Sequence, residues 1–197
     1  MRDALKAALR GMSFVIVLPA IVSFFLKSLF LGRDQALEGS TQTLSLIPGL
    51  LGQYLRRAFL SVAIAECASS VVVSFGTIFS KSGARLEDNV YVGAGCFLGL
   101  VHLERDVLVG SGVHITSGRH THGTGDSSQP IRDQEGRTTT VRVGAGSWIG
   151  SAAVVMADVG RNTVIGAGAV VASPIPDDVV AAGVPAKVLR TRQTDPS

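Results

Sequence analysis

Two histidines, His120 and His122, stand out as the residues of this chain best suited to acid–base chemistry. They lie at the start of a polar stretch over residues 117–140 that interrupts an otherwise regular repeat. A histidine side chain can accept a proton from a hydroxyl group near neutral pH. Because a long loop that leaves a regular scaffold commonly carries function, both residues are candidate general bases.

A six-residue repeat surrounds this loop and must position it. Between Leu86 and Val171, an aliphatic residue followed by glycine recurs at this interval, which fits neither an α-helix nor a simple hairpin. The pattern predicts a mainly β fold, a parallel β-helix in which three hexads close one coil of about eighteen residues. The predicted inward pairs are Val92 with Cys96, Val109 with Val113, Ile149 with Ala153, and Ile165 with Ala169.

Three strings near the C-terminal end resemble the last coils and exit loop of the hexapeptide-repeat acyltransferases, in their sugar and polysaccharide O-acetyltransferase branch. They are Val141-Arg-Val-Gly-Ala-Gly-Ser-Trp-Ile-Gly-Ser-Ala-Ala-Val-Val, Val164-Ile-Gly-Ala-Gly-Ala-Val-Val and Ala182-Gly-Val-Pro-Ala-Lys-Val-Leu-Arg. The resemblance covers about residues 70–192. It implies a left-handed β-helix, acetyl-CoA as co-substrate, and a saccharide hydroxyl as acceptor, on a polysaccharide or a lipid-linked glycan precursor.

The resemblance implies a catalytic histidine early in the loop, and two alignments place it differently. Counting from Val113-His-Ile-Thr, as in the maltose-type acetyltransferases, gives His120. Matching His-Gly and then Asp126, Pro130-Ile131 and Gln134, as in the polysaccharide O-acetyltransferases, gives His122. The second match extends over more residues, so we favour His122 and keep His120 open. Asp126 either orients the imidazole, binds the acceptor or is a solvated loop carboxylate.

The resemblance also implies a donor site in the groove between neighbouring β-helices of a homotrimer. Cations there would suit the pyrophosphate and ribose phosphate of acetyl-CoA. The usual Thr-Lys pair after the last coil is Ala172-Ser173 here, and Arg192 is a candidate replacement. The positions that match the donor site are Trp148, Ser151, Ala167, Lys187 and Arg190.

The N-terminal region, residues 1–66, has a different composition from the repeat. Basic residues precede an uncharged run over residues 11–26 that continues past Lys27 to residue 32. A helix over 11–26 would be about 24 Å long, short of a hydrocarbon core of about 30 Å, whereas 11–32 could span it. We expect a transmembrane or re-entrant helix that is kinked at Pro19. The basic residues before it place the N-terminus inside, with the protein on the cytoplasmic face of the membrane. A helix packed on its own protein and a cleaved signal peptide are the alternatives.

Residues 33–43 contain Gly, Ser, Thr and charged residues, and they predict a polar link. An amphipathic helix should follow, with Gln53, Arg56 and Arg57 on its polar side. This helix either caps the open end of the β-helix or lies in the membrane interface. Its apolar stripe should consist of Ile47, Leu50, Leu51, Tyr54, Ala58 and Phe59. The β-helix is then expected over residues 67–192, with a short tail at 193–197.

Composition argues against some functions and leaves others open. The net charge is only +3 and no basic stripe is interleaved with aromatic residues, so nucleic acid is not an expected partner. The two cysteines, Cys67 and Cys96, make no disulfide framework. A γ-type zinc carbonic anhydrase on the same fold would need three histidines at a subunit interface, drawn from His102, His114, His120 and His122. The exit loop favours CoA over a metal, and a non-catalytic trimeric scaffold is the third possibility.

Overall fold

The computed structural model describes residues 2–192, with side chains from residue 9 onward, so the expected tail at 193–197 lies outside the described residues. Three helices come first: α1 (Arg2–Leu31), α2 (Arg33–Ser45) and α3 (Gly49–Ala63). Short strands follow, and they form three sheets that make up the three sides of a solenoid. Apart from the last strand, all strand pairing is parallel, which confirms the β-helix.

Each of the first four coils contributes one strand to each sheet, and beyond them sheet A continues only as single bridges at Val159 and Ile175. Sheet A contains β1 (Glu66–Cys67), β4 (Arg85–Leu86), β7 (Val101–Leu103) and β10 (Val141–Val143). Sheet B contains β2 (Val72–Val73), β5 (Tyr91–Val92), β8 (Leu108–Val109), β11 (Trp148–Ile149), β13 (Val164–Ile165), β15 (Val179–Ala182) and the antiparallel β16 (Lys187–Thr191). Sheet C contains β3 (Ile78–Phe79), β6 (Phe97–Leu98), β9 (His114–Ile115), β12 (Val154–Val155) and β14 (Val170–Val171).

The core is a single column of aliphatic side chains inside the coils. In a typical two-residue strand the first side chain points outward and the second inward, as for Tyr91 and Val92. The predicted inward pairs are all buried, and Cys96 occupies one of these core positions. Burial raises the pKa of the Cys96 thiol, which suits a packing role. The hexad interpretation of the sequence is therefore confirmed.

The corners between sheets A and B need residues that tolerate a left-handed backbone. Asn89 and Asp106 occupy this turn with φ values of 58° and 61°, and the Asn89 side chain donates to the Asp106 carboxylate at 3.1 Å. Further along the solenoid, Asn162 and Asp178 repeat the arrangement. Gly146 stands between these pairs, where a Cβ atom would lie 2.7 Å from the Asn162 side-chain oxygen. Stacked polar turns therefore align the coils.

Helix α1 packs on the rest of the protein by one face only. Its residues Val17, Ile21 and Phe24 are buried, and the Phe24 ring meets the edge of Phe59 in α3 with centroids 5.6 Å apart. The helix is continuous through Pro19. Its segment Leu9–Leu31 is long and apolar enough to cross a membrane. The exposed apolar side chains are Met12, Phe14, Val15, Ile16, Leu18, Val22, Phe25, Leu26, Leu29, Phe30 and Leu31.

The polar link predicted over residues 33–43 is wrong, because these residues belong to helix α2. Its buried side is built from small and aliphatic residues, including Ala36, Leu37 and Leu44, that face α1, α3 and β3. Serine and threonine are tolerated there because their hydroxyls bond to nearby carbonyls, as Ser40 does to Ala36 at 2.8 Å. Composition alone suggested a loop, and tertiary packing favours the helix.

The predicted polar and apolar sides of α3 are also partly wrong. Arg56 and Arg57 are buried, whereas Leu50 and Leu51 are exposed. Arg56 donates hydrogen bonds to the carbonyls of Val73, Leu44 and Ile47 at 2.9, 3.1 and 2.7 Å. It thereby satisfies carbonyls at the C-terminal end of α2 and on the first coil, groups that a leucine would leave unpaired. Helix α3 packs on β1 and β2, so of the two expected positions the structure shows the capping one.

Candidate functional site

A groove of about 530 Å³ lies on the outer surface of sheet C, between α2 and the loop. Its floor is formed by the outward side chains of Phe97 on β6 and His114 on β9, Ser80 and Lys81 after β3 line it as well, and His122 stands at its loop side. A concave surface with aromatic and polar side chains is the usual setting of a small-molecule site. The lining residues are Asp34, Gln35, Glu38, Ser80, Lys81, Phe97, Gly99, His114, Ile115, Thr116, Ser117, Thr121 and His122.

The loop that carries the histidines is held together by hydrogen bonds between its two arms. The Thr139 N–H donates to the Ser117 carbonyl at 2.8 Å, and the Arg137 N–H donates to the His120 carbonyl at 2.6 Å. At its root, the buried Ser117 hydroxyl accepts a hydrogen bond from the Leu100 N–H at 2.9 Å. The strands that flank it, β9 and β10, therefore anchor an ordered loop above the groove.

The two candidate histidines occupy different surroundings within this loop. His122 lines both the groove and a neighbouring cavity of about 420 Å³, whereas His120 lines only that second cavity. Both side chains are exposed, and neither ring hydrogen-bonds to a described residue. The geometry therefore places His122, of the two, beside the floor of sheet C.

Asp126 does not approach either imidazole among the described contacts. Its carboxylate accepts hydrogen bonds from the Ser128 N–H at 2.9 Å and the Ser128 hydroxyl at 2.6 Å. These bonds lower the pKa of Asp126. The amide of Gln134 bonds to the Asp126 main chain from the other arm of the loop. In this structure, Asp126 stabilises the loop tip, and its predicted role towards substrate stays a prediction.

An aromatic floor of the groove was missed by sequence reasoning. The rings of Phe97 and His114 stack across neighbouring strands, with centroids 6.1 Å apart and planes 20° from parallel. In the sequence, His114 stood out as one of four possible ligands of the zinc alternative. The signal for this floor was the outward position that both residues share, one above the other in consecutive coils.

Helix α2 closes the groove through Asp34, which sequence reasoning also missed. The Asp34 carboxylate accepts hydrogen bonds from the Ser82 N–H at 2.9 Å, the Ser82 hydroxyl at 2.8 Å and the Lys81 ammonium at 3.1 Å. Burial raises the pKa of Asp34, but the hydrogen bonds from Ser82 and Lys81 outweigh it and hold the pKa below its ordinary value. These contacts fasten the start of α2 to the turn after β3.

The predicted donor residues gather on sheet B and on its corner with sheet C. Trp148 is half-exposed on β11, and exposed Ser151 and Ala167 stack on consecutive coils, where the Gly168 N–H bonds to the Ser151 carbonyl. Lys187 and Arg190 are exposed on β16 and form no ion pair with a described residue. None of these residues lines the two cavities at the histidines. Within a single chain, the candidate catalytic histidines and the predicted donor-site residues therefore lie on different faces of the solenoid.

Two other predicted residues have partners of their own. Arg192 donates a hydrogen bond to the Asn162 carbonyl at 3.0 Å, on the corner between sheets A and B. His102, on sheet A, lies 2.7 Å from a Glu87 carboxylate oxygen. Among the residues whose side chains are described, no group of three His, Cys, Asp or Glu residues is placed to hold a metal ion.

Comparisons with known proteins agree with the fold. No protein-family model matches the chain. WbbJ of Escherichia coli K12, provisionally named a lipopolysaccharide biosynthesis O-acetyl transferase, is 32% identical over 124 residues, which cover 58% of this chain and 61% of that protein. The chain thus matches about three fifths of this relative's length.

Solved structures share the architecture at lower identity. A hexapeptide-repeat containing acetyltransferase from Vibrio cholerae superposes with a TM-score of 0.69 at 19% identity, over 81% of this chain and 93% of that one. A galactoside acetyltransferase in complex with coenzyme A superposes with a TM-score of 0.60 at 23% identity, over 83% and 84% of the two chains. The β-helix fold that the resemblance implied is thereby confirmed.

The Asp34 contacts predict a pH-dependent contribution to stability. A carboxyl group with a depressed folded-state pKa stabilises the fold above its unfolded-state pKa of about 3.9, and this contribution is lost as the pH falls through the folded-state value. Because Asp34 is partly exposed, we expect Asp34→Asn to lower the unfolding temperature at pH 7 by only about 2–4 °C. The difference should shrink below pH 3 in thermal unfolding followed by circular dichroism.

The matched control is Asp133→Asn, on the exposed 3₁₀ turn of the loop at Ile131–Asp133, where the carboxylate contacts only Arg132 at 3.6 Å. This variant should unfold like the wild type at both pH values. A deficit for Asp34→Asn that stayed constant from pH 7 to well below pH 3 would contradict the account of its carboxylate.

Proposed function

We propose that this protein is an acetyl-CoA-dependent O-acetyltransferase that acts on a saccharide hydroxyl, with His122 as the general base. The observation that carries the proposal is the position of His122, at the edge of a groove with an aromatic floor. The proposal is supported by the names of the proteins to which the chain is similar, which describe O-acetyl transfer and, in one structure, bound coenzyme A.

The proposed reaction needs one proton transfer and one nucleophilic attack. The imidazole of His122 takes the proton of the acceptor hydroxyl while the oxygen attacks the thioester carbonyl carbon. The tetrahedral intermediate then expels the thiolate of CoA, and the imidazolium returns the proton to that sulfur. The products are the acetyl ester and free CoA, and the histidine ends in its starting state. An exposed imidazole at the groove can reach a bound hydroxyl without rearrangement of the coils.

The groove offers the two kinds of contact that a saccharide requires. The stacked rings of Phe97 and His114 supply a flat apolar surface for the carbon-bound hydrogens of a pyranose ring. Polar side chains on the rim, among them Gln35, Glu38 and Thr121, can bond to hydroxyl groups. We therefore assign the groove to the acceptor. A lipid-linked glycan or polysaccharide precursor is the acceptor class that we favour.

The donor is assigned to a seam between two copies of the chain. Acetyl-CoA is a co-substrate with a pyrophosphate and a ribose phosphate, for which the exposed Lys187 and Arg190 are suitable partners. Exposed Trp148 offers an aromatic surface in the same sheet. Since these residues lie on sheet B, away from His122, a second copy must bring its sheet B to the histidine. A closed homotrimer satisfies this requirement at three equivalent seams.

The role of His122 can be tested by comparing two variants of the same loop. We expect His122→Ala to lower kcat for CoA release from acetyl-CoA, with a panel of saccharide acceptors, by about 10²–10⁴-fold, because the general base is lost. His120→Ala is the matched control and should retain most of the rate, since His120 does not line the groove. Full activity in both variants would refute the proposed mechanism, and loss in His120→Ala alone would reassign the base.

We further propose that α1 holds the protein on the cytoplasmic face of the membrane. Its inner face is fixed to α2 and α3, and α2 carries polar residues such as Gln35 and Glu38 that cannot enter hydrocarbon. The outer face is apolar along its described length apart from the exposed Lys27. These features favour a helix that lies in the membrane surface over one that crosses it. The site would then stand beside a lipid-linked acceptor.

Substitutions on the outer face of α1 test this location. We expect the double variant Leu18→Asp/Val22→Asp to move from the membrane fraction to the soluble fraction by more than tenfold, because each buried aliphatic side chain contributes about 1.5–3 kcal/mol. Both residues are exposed, so folding should be retained. The control Leu189→Asp, at an exposed position on β16, should sediment with membranes like the wild type. Equal sedimentation of all three proteins without detergent would contradict the assignment.

A further inference from the structure

A separate cavity, of about 220 Å³, lies where α1, α3 and β2 meet, far along the chain from the loop histidines. Its lining includes two arginines, Arg10 of α1 and Arg57 of α3, together with polar groups of Gln53, Tyr54 and Ser69. No aspartate or glutamate is among its described lining residues. Among the described residues, the cavity therefore combines two positive charges with hydrogen-bonding groups and has no acidic side chain to balance them.

The guanidinium group of Arg57 has no described hydrogen-bond partner. The residue is only 6% exposed, and its Nε and Nη2 atoms are buried and unpaired, as is Nε of Arg10. Arg56, its neighbour in the same helix, is equally buried but bonds to three carbonyls, which leaves only its Nη2 atom unpaired. Burial first, and then the charge of Arg10, lower the pKa of Arg57. A buried charge without a partner costs several kcal/mol, so this arrangement suits a bound anion.

The surroundings of the cavity indicate where such an anion comes from. Phe14 on the outer side of α1 contacts Arg57, with the guanidinium carbon 6.0 Å from the ring centroid. Leu50, on the rim, is 72% exposed. The cavity thus opens beside the apolar surface that we assign to the membrane. An anionic group attached to a lipid could enter while its chains remain against α1.

We propose that Arg10 and Arg57 bind a phosphate group at the junction of α1, α3 and β2. Guanidinium groups are the preferred protein ligands for phosphate, because their parallel N–H groups match two phosphate oxygens. The phosphate of a membrane lipid is the expected source, and free phosphate is the other source of the same chemistry. The proposal does not depend on acetyl transfer, because the groove of His122 shares no residue with this cavity.

The test measures binding of the full chain to vesicles at fixed salt. Phosphatidylcholine vesicles report the apolar contribution of α1, and added phosphatidylglycerol reports the contribution of the anionic phosphate. We expect phosphatidylglycerol to strengthen binding of the wild type by at least tenfold, and Arg57→Gln to lose most of this gain. Lys27→Gln, an exposed charge on α1, is the matched control. It should lose no more than the about fivefold that one surface charge contributes.

The source of the phosphate is separated by a second probe. Inorganic phosphate should raise the unfolding temperature of the wild type, compared with sodium chloride at equal ionic strength, if free phosphate enters the cavity. Stabilisation by phosphate, or a vesicle gain, supports the site if Arg57→Gln loses it to a greater extent than Lys27→Gln does. Arg10→Gln serves as a second variant should Arg57→Gln fail to fold. Absence of both effects in the wild type, or an Arg57→Gln loss no larger than that of Lys27→Gln, would overturn the proposal.

Discussion

The structure depends on the inward packing of one aliphatic side chain from each two-residue strand. This packing sets the six-residue period, because one strand and one corner together take six residues and form one side of a coil, and it leaves the alternate side chain of each strand free to face outward. Since Val92, Val109 and Ile149 stack as a buried column, Tyr91, Leu108 and Trp148 form an outward column on the same sheet. The apolar core thus determines which side chains face outward and are available for binding.

The same constraint separates the parts of the proposed site. The loop leaves the scaffold after a strand of sheet C, and the donor residues belong to sheet B, so no bending of a loop brings them together within one chain. Assembly of copies is the simplest way to join two faces of a rigid prism, and a closed ring repeats the junction. The helices stabilise the other end. Helix α3 covers the first coil, where unpaired strand groups would otherwise be exposed, and α1 packs on α2 and α3 to extend this cap.

Much of the scaffold could be predicted from sequence, because burial in a solenoid repeats with a period that the residues display directly. Val109 and Val113, or Ile149 and Ala153, are recognisable as inward pairs without knowledge of any other element. The helical region was harder to predict from sequence. Arg56 is buried because three carbonyls from two distant segments converge on it, and α2 is helical because three elements cover its small residues. Neither cause is visible in local composition. The stacking of Phe97 on His114 likewise depends on register between coils.

The central claim is that each site is built from His122 of one copy and sheet B of another. The most direct test mixes two variants in one preparation, His122→Ala and Lys187→Glu/Arg190→Glu, each expected to be inactive alone. Random assembly of trimers from equal amounts of the two variants should restore about a quarter of the wild-type rate of CoA release. The reason is that one interface in four then pairs an intact His122 with an intact sheet B. A mixture that remains as inactive as its separate components would contradict the claim.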